Sequence, residues 1–323
     1  MSQSGFEQRH REDWLALEDR LASTRNPSVV ADTDLRDLPA TYRRVCQHLA
    51  LARHRRYSSD LVARLNTLAL GGHDLLYREG TQARVDWVET LLLTFPRTLR
   101  ASRGPLFWAT LAFLAPSAAL YLGVRLDDDF VFMLLDPWSV YEMESMYDPD
   151  SERFLRERGS ASDLMMFGYY IRNNIGISFR TFSGGILGGI GSLFFLVFNG
   201  ATFGAVAAHL DNIGHSEPFW SFVVGHGSFE LTAIVISGAA GLRIGHALLS
   251  PGQRTRTAAL VEEARASLPL IYGFTAMLLI AAFVEAFWSS TTAVPAATKY
   301  GVGGVLWAAV LGYLTLAGRR RGS

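Results

Sequence analysis

The stretch from residue 176 to 249 constrains this chain most. It is apolar and laced with glycine, reading GGILGGIG over 184–191, FFLVFNG over 194–200, GHGSFE over 225–230 and GAAGLRIG over 238–245. A water-soluble core rarely runs this long with so much glycine. A membrane helix bundle does, because small residues let helices approach in lipid, where hydrophobicity cannot drive association. Asn199, His226, Glu230 and Arg243 lie within the stretch. Polar and ionisable side chains at membrane depth mark a functional site by default.

Composition divides the chain in two. Of its 323 residues 49% are hydrophobic and 19% charged, yet residues 1–103 are ordinary soluble sequence and most of 104–323 is apolar. The net charge of +0 sums segments of opposite sign. Cys46 is the single cysteine, which excludes an intramolecular disulfide and a cysteine-based metal site. The first residues, MSQSGFEQRHRED, lack the basic-then-apolar layout of a signal peptide. Internal apolar segments are therefore expected to direct insertion, with the N-terminal module left in the cytosol.

That module reads as helical. Phe6, Trp14, Leu17 and Leu21 recur at helical spacing, and Asn26-Pro27 ends the run. A second helix is expected from Thr33, with Leu35, Leu38, Tyr42, Val45, Leu49 and Ala52 on one face. A third carries Leu61, Leu65 and Leu68, and Gly71-Gly72 is expected to interrupt it. Arginines such as Arg43, Arg44, Arg53 and Arg64 are interspersed with acids and lack stacking aromatics, so no nucleic-acid partner is expected.

Residues of about 84–103 form an amphipathic pattern, with Trp87, Val88, Leu91, Leu92, Phe95 and Leu99 among arginines and a kink expected at Pro96. An interfacial helix leading into the membrane fits this pattern. Pro105–Val124 is uncharged and long enough to cross a hydrocarbon core. Arg97, Arg100 and Arg103 precede it and Asp127, Asp128 and Asp129 follow it, so the positive-inside rule places the N-terminus in the cytoplasm. Residues 125–163 hold eleven Asp/Glu against four Arg, and are expected to cap the bundle from outside as short helices.

Beyond that, Leu164–Phe179 reads as an elbow at the outer interface, Phe182–Phe198 and Phe219–Leu249 as spans, and Leu268–Trp288 and Val302–Ala317 as two more. Arginines in 250–267 and at 319–321 put both segments inside. Parity then demands an odd number of crossings between Val124 and Leu268, where two spans are evident. Three solutions are open: residues 199–213 contribute to a third crossing, one segment of 199–249 dips in and returns on its own side, or the C-terminal arginines violate the rule. A broken or re-entrant segment near Asn199–Glu230 is favoured, tolerated at depth where protein or a wet cavity surrounds it.

His226 and Glu230, four apart, share a helix face. Three chemistries remain open for them: an interhelical hydrogen bond with Asn199 or the Asn173-Asn174 pair, a proton or ion pathway, and a metal site. No HExxH pattern is present, and further ligands would have to come from His209, His215, His246 or Glu285. No cofactor is expected. Arg243 and Glu285 are secondary candidates, either interfacial anchors or buried partners. Glycine pairs four apart (Gly184/Gly188, Gly185/Gly189, Gly200/Gly204 and Gly241/Gly245) point to close helix packing, within one chain or in a homo-oligomer.

The ordered set Asn173-Asn174, Phe198-Asn199-Gly200-x-x-x-Gly204, His226-Gly227-x-x-Glu230, Gly238-x-x-Gly241-x-x-x-Gly245, Ser250-Pro251-Gly252 and Glu285-Ala286-Phe287 resembles the stage II sporulation protein M family of integral membrane proteins. Tyr42-Arg43, Leu65-Asn66 and Leu75-Leu76-Tyr77 resemble the N-terminal extension of its longer bacterial members. The resemblance implies a bacterial cytoplasmic (inner) membrane protein. It implies association with peptidoglycan-remodelling partners in the namesake, and with MoxR-type ATPases and RDD-type membrane proteins in the longer members. It brings no settled activity. The fold expected is an all-α transmembrane bundle of five or six membrane segments over 104–323, in contact with the lipid bilayer, with a cytosolic helical module over 1–103. The function expected is a non-enzymatic component of an envelope-related complex. A channel or transporter centred on His226 and Glu230, and an intramembrane metal-dependent hydrolase, are the alternatives.

Overall fold

The computed structural model describes residues 2–23, 37–78, 86–148, 160–291 and 293–319. Among them all regular structure is helical and no strand occurs. The chain divides into two compact units, Met1–Val85 and Asp86–Ser323. The expected break at Asn26-Pro27, the helix start at Thr33 and the arginines at 320 and 321 lie outside the described residues.

The first unit comprises α1 (Gln3–Ser23), α2 (Leu38–His54) and α3 (Ser59–Arg78). Most of its core consists of positions picked out by helical spacing, Phe6, Trp14 and Leu17 packing with Leu38, Val45, Leu49 and Ala52 and with Leu61, Leu65 and Leu68. Leu75 joins them, and Leu21 is only partly buried. Gly71-Gly72 does not interrupt α3, which runs through both. The pair is small because neighbours crowd it: a Cβ on Gly72 would stand 2.9 Å from the Tyr42 ring, and one on Gly71 2.9 Å from Leu21. Two of the arginines are held by acids, Arg44 by Asp13 at 2.8 Å and Arg64 by Glu18 at 2.9 Å.

The second unit opens with the lead-in segment. Asp86 caps α4 (Trp87–Glu89) by accepting from the Val88 and Glu89 amides. A π-turn over Thr90–Thr94 follows, then α5 (Phe95–Ala101) with Pro96 in its first turn. Proline lacks the N–H that a continuous helix would use, so the winding changes at the expected kink. Arg97 donates to the Gly318 carbonyl at 2.6 Å, and Arg100 to those of Leu314 and Ala317 at 2.7 and 2.6 Å. These arginines satisfy carbonyls that the last helix leaves open at its C-terminus.

Seven more helices follow: α6 (Arg103–Leu126), α7 (Pro137–Tyr147), α8 (Ser160–Ser183), α9 (Ile190–Asn212), α10 (Ser216–Leu249), α11 (Arg256–Val284) and α12 (Ala296–Leu316). Five of them, namely α6, α9, α10, α11 with its π-turn to Ser289, and α12, are long and apolar enough to cross a membrane. Between α6 and α7 the acidic segment forms a 3-10 turn over Asp128–Met133, and Asp136 caps α7. α10 is the central helix and packs against α6, α8, α9, α11 and α12.

Three expectations are corrected here. Phe182–Phe198 is not one span, because the helix ends at Ser183 and the chain reverses through Gly184–Gly189. Gly188 and Gly189 have φ of +67° and +89°, a left-handed pair that side-chain-bearing residues rarely adopt. Asn199–Ile213 is neither broken nor re-entrant, since its residues through Asn212 form the second half of the continuous helix α9. Leu164–Phe179 is not an elbow but the body of α8, a 24-residue helix packed against α9, α10 and α11.

Glycine sets the close contacts. A Cβ on Gly185 would fall on the Gly241 carbonyl, one on Gly245 on the Gly189 amide, and those on Gly200 and Gly204 on the Phe113 and Ser117 carbonyls of α6. Ser192 donates to the Thr181 carbonyl at 2.6 Å across the reversal, filling the space that Gly241 leaves.

Candidate functional site

Four helices converge on one polar cluster. His226 and Glu230 come from α10, one turn apart on one face as the i, i+4 spacing requires, with His226 Nε2 3.9 Å from Glu230 Oε2. Glu285 begins the π-turn that ends α11, and Ser289 closes it. Such π-turns recur at functional sites because the extra residue re-aims the side chains that follow. Asn174 arrives from α8 and Lys299 from the first turn of α12.

The contacts tie these elements together. Asn174 Nδ2 donates to Glu285 Oε2 at 3.4 Å, and Asn173 Nδ2 to Asn174 Oδ1 at 3.0 Å. His226 Nδ1 lies 3.1 Å from Ser289 Oγ. Lys299 Nζ donates to the Ser289 carbonyl at 2.8 Å. Ligand atoms of His226, Glu230 and Glu285 all lie within 4.8 Å of one another. His226 is 5% exposed, Glu285 7% and Asn174 2%, whereas the Glu230 side chain keeps 18%. The cluster is therefore closed except at Glu230 and at Asn173 on its edge.

Tyr147, the last residue of α7, belongs to the same neighbourhood. Burial pushes its phenol up, and the carboxylates of Glu285 and Glu230 act in the same direction. Its ring packs edge-on against Phe219 and Phe222, and Phe222 in turn against His226. α7 thus sits over the cluster.

The residues singled out from sequence separate into two groups. His226, Glu230, Glu285 and Asn174 are brought together, with Asn173 at the edge. Asn199 is not among them: its amide turns back to the Phe195 carbonyl on its own helix at 2.7 Å. Arg243 stands elsewhere, held by Glu263 at 2.5 Å and by Ser102. Of the histidines considered as extra ligands, His209 contacts Glu144 at 2.7 Å, and none joins the cluster. Sequence reasoning missed Ser289, Lys299 and Tyr147. Lys299 carried a signal, being the only lysine in a chain that otherwise uses arginine.

Two family descriptions match the chain. One, stage II sporulation protein M, covers residues 106–290. The other, a domain of unknown function (DUF8413), covers residues 4–78. No curated protein and no solved structure matches.

Proposed function

The chain belongs to the stage II sporulation protein M family, and from that premise we propose a multi-pass protein of the bacterial cytoplasmic membrane that serves as a non-enzymatic component of an envelope-related complex. In this reading the five apolar helices and α8 all cross. Helices α8, α9 and α10 then supply the odd number of crossings that the charge pattern requires. Arg97 and Arg100 before α6 and Arg103 at its start, Arg254 before α11 and Arg256 at its start, and Arg319 after α12 lie on one side, the cytoplasmic one. Asp127–Asp129 and α7 lie on the other. The cytosolic module and the lead-in segment precede the first crossing.

One observation carries the complex. Arg172 and Asn173 are exposed near the middle of α8, which packs on its other side against the bundle. A bare arginine at the centre of a bilayer costs about 2.5–3.5 kcal/mol on insertion scales. A membrane-embedded partner with a carboxylate or amide would remove that cost. An RDD-type membrane protein or a second copy of this chain fits such a face better than a soluble ATPase or a peptidoglycan-remodelling enzyme, which would meet the protein outside the bilayer.

The polar cluster favours the same reading over a channel or transporter. A conducting route needs its polar groups along a water-lined path, and here they are mostly buried and turned on one another. The cluster acts instead as a clamp between α8, α10, α11 and α12.

Chemical cross-linking in native membranes tests the proposal. The wild-type chain should appear in an assembly larger than its own mass, and Arg172→Leu with Asn173→Leu should reduce or abolish that assembly. A wild-type chain that never exceeds its own mass, or an assembly indifferent to both substitutions, contradicts the reading.

A further inference from the structure

We propose that His226, Glu230 and Glu285 bind one first-row divalent transition-metal ion, zinc first, as a structural ion that locks α10 to the π-turn of α11. The proposal deepens the clamp described above, and rests on it only in needing the cluster closed.

Three independent features of the cluster point to a cation. The first is the ligand set. Imidazole with two carboxylates suits zinc, with manganese next, and is a poor choice for calcium or magnesium, which take oxygen ligands. The second is spacing. His226 Nε2 and Glu230 Oε2 are 3.9 Å apart, beyond hydrogen-bond reach. Two ligands about 2.0–2.2 Å from one zinc ion stand about 3.3–3.6 Å apart in a tetrahedron. The observed spread of up to 4.8 Å then calls for a small closing movement, available to two unbranched glutamates. The third is charge. Carboxylate oxygens this close, in a buried site, are stable only with a proton or a cation between them.

The surroundings match what a ligating histidine and carboxylate need. With Nδ1 protonated, His226 donates to Ser289 Oγ at 3.1 Å, which leaves the Nε2 lone pair facing Glu230. Asn174 donates to Glu285 and steadies it from a third helix. Outer contacts of this kind fix tautomer and orientation at metal sites. Glu230, the one partly exposed member, offers the ion a way in.

The described residues contain a second group with ligand spacing, His10, Asp13 and His48 in the N-terminal unit. There Trp14 Nε1 donates to His48 Nδ1 at 3.2 Å. That bond takes one lone pair and leaves the proton on Nε2, so His48 has no free lone pair for a metal. It serves as the control.

The experiment is metal analysis of the full-length chain, purified alone in detergent without chelator, followed by titration of the chelator-treated protein with zinc, manganese, calcium or magnesium chloride. Native protein should hold close to one zinc or manganese ion per chain, and either ion should raise the melting temperature where calcium and magnesium do not. X-ray absorption of the wild-type protein should read one imidazole among oxygen ligands. Glu285→Gln and His226→Gln should lose the ion, Asn174→Ala should weaken zinc affinity roughly 10- to 100-fold, and His48→Gln should leave it unchanged. Should the variants misfold, the wild-type occupancy and absorption spectrum decide. Folded wild-type protein that holds no metal and shows no zinc or manganese shift overturns the proposal, as does a shift with calcium or magnesium alone. An ion lost from His48→Gln but kept by Glu285→Gln overturns it equally. The isolated chain reads the ion while cross-linking in membranes reads the complex, so the two proposals fail separately.

Discussion

The Asn174 side-chain amide reaches Glu285 Oε2 at 3.4 Å, joining the middle of α8 to the π-turn at the end of α11. That contact ties one face of α8 to the bundle, and a crossing by α8, as proposed above, would resolve the parity of the apolar segments.

Asn174→Leu is expected to destabilise the protein by about 1–3 kcal/mol, the cost of removing a buried hydrogen bond to a carboxylate. Thermal unfolding in detergent, followed by loss of the monodisperse elution peak, measures it. Unchanged stability would mean that the contact contributes nothing.

Close approach at the reversal makes a sharper contrast. Gly241→Ala sets a methyl group against Ser192 Oγ and the backbone carbonyls of Phe182 and Thr181, while a Cβ on Gly304 in α12 meets nothing within 4 Å. Overpacking of this kind costs about 1–3 kcal/mol or more. Gly241→Ala should therefore lower yield and melting temperature, and Gly304→Ala should be neutral or slightly stabilising through its better helix propensity.

Much of the fold was legible because helical periodicity is a local property. Most of the core of the N-terminal unit came from spacing alone, and α6 came from an uncharged run of membrane length. The region 164–213 was misread for an identifiable reason. Arg172, Asn173 and Asn174 depress the hydropathy of α8, so its extent as one helix ending at Ser183 is hidden, and GGILGGIG looks like continuous apolar helix although two of its glycines are left-handed. Packing partners that decide both cases lie far away in sequence, at Gly241, Gly245 and Glu285. The site was half legible. An i, i+4 rule joins His226 to Glu230, but no local pattern announces that Ser289 will meet His226 or that Lys299 will meet Ser289.

The N-terminal unit should carry a pH dependence of its own. Burial, and then the neighbouring His10, hold His48 below its ordinary value of 6.5, and the Trp14 donor favours the neutral ring. A lowered folded-state value means that the unfolded chain binds the extra proton more readily. The stabilisation is present in full above pH 6.5 and is lost as pH falls through that value towards the lower folded-state one. Hydrogen exchange over residues 2–78 of the full-length protein should be slower at pH 7.5 than at pH 5.5 after correction for intrinsic rates. His48→Gln should flatten the difference, and an equal slope in that variant would contradict the assignment.

Cys46 as the sole cysteine makes the decisive test a clean one. In a Cys46→Ser background, single cysteines replace Ser139 on α7, Leu187 in the glycine reversal and Ser250 after α10, and a membrane-impermeant maleimide is applied to intact spheroplasts. Six crossings predict labelling at 139 from outside, with 187 and 250 labelled only after the membrane is opened. Labelling of 187 together with 139 in intact cells would mean that α8 does not cross, and would contradict the account.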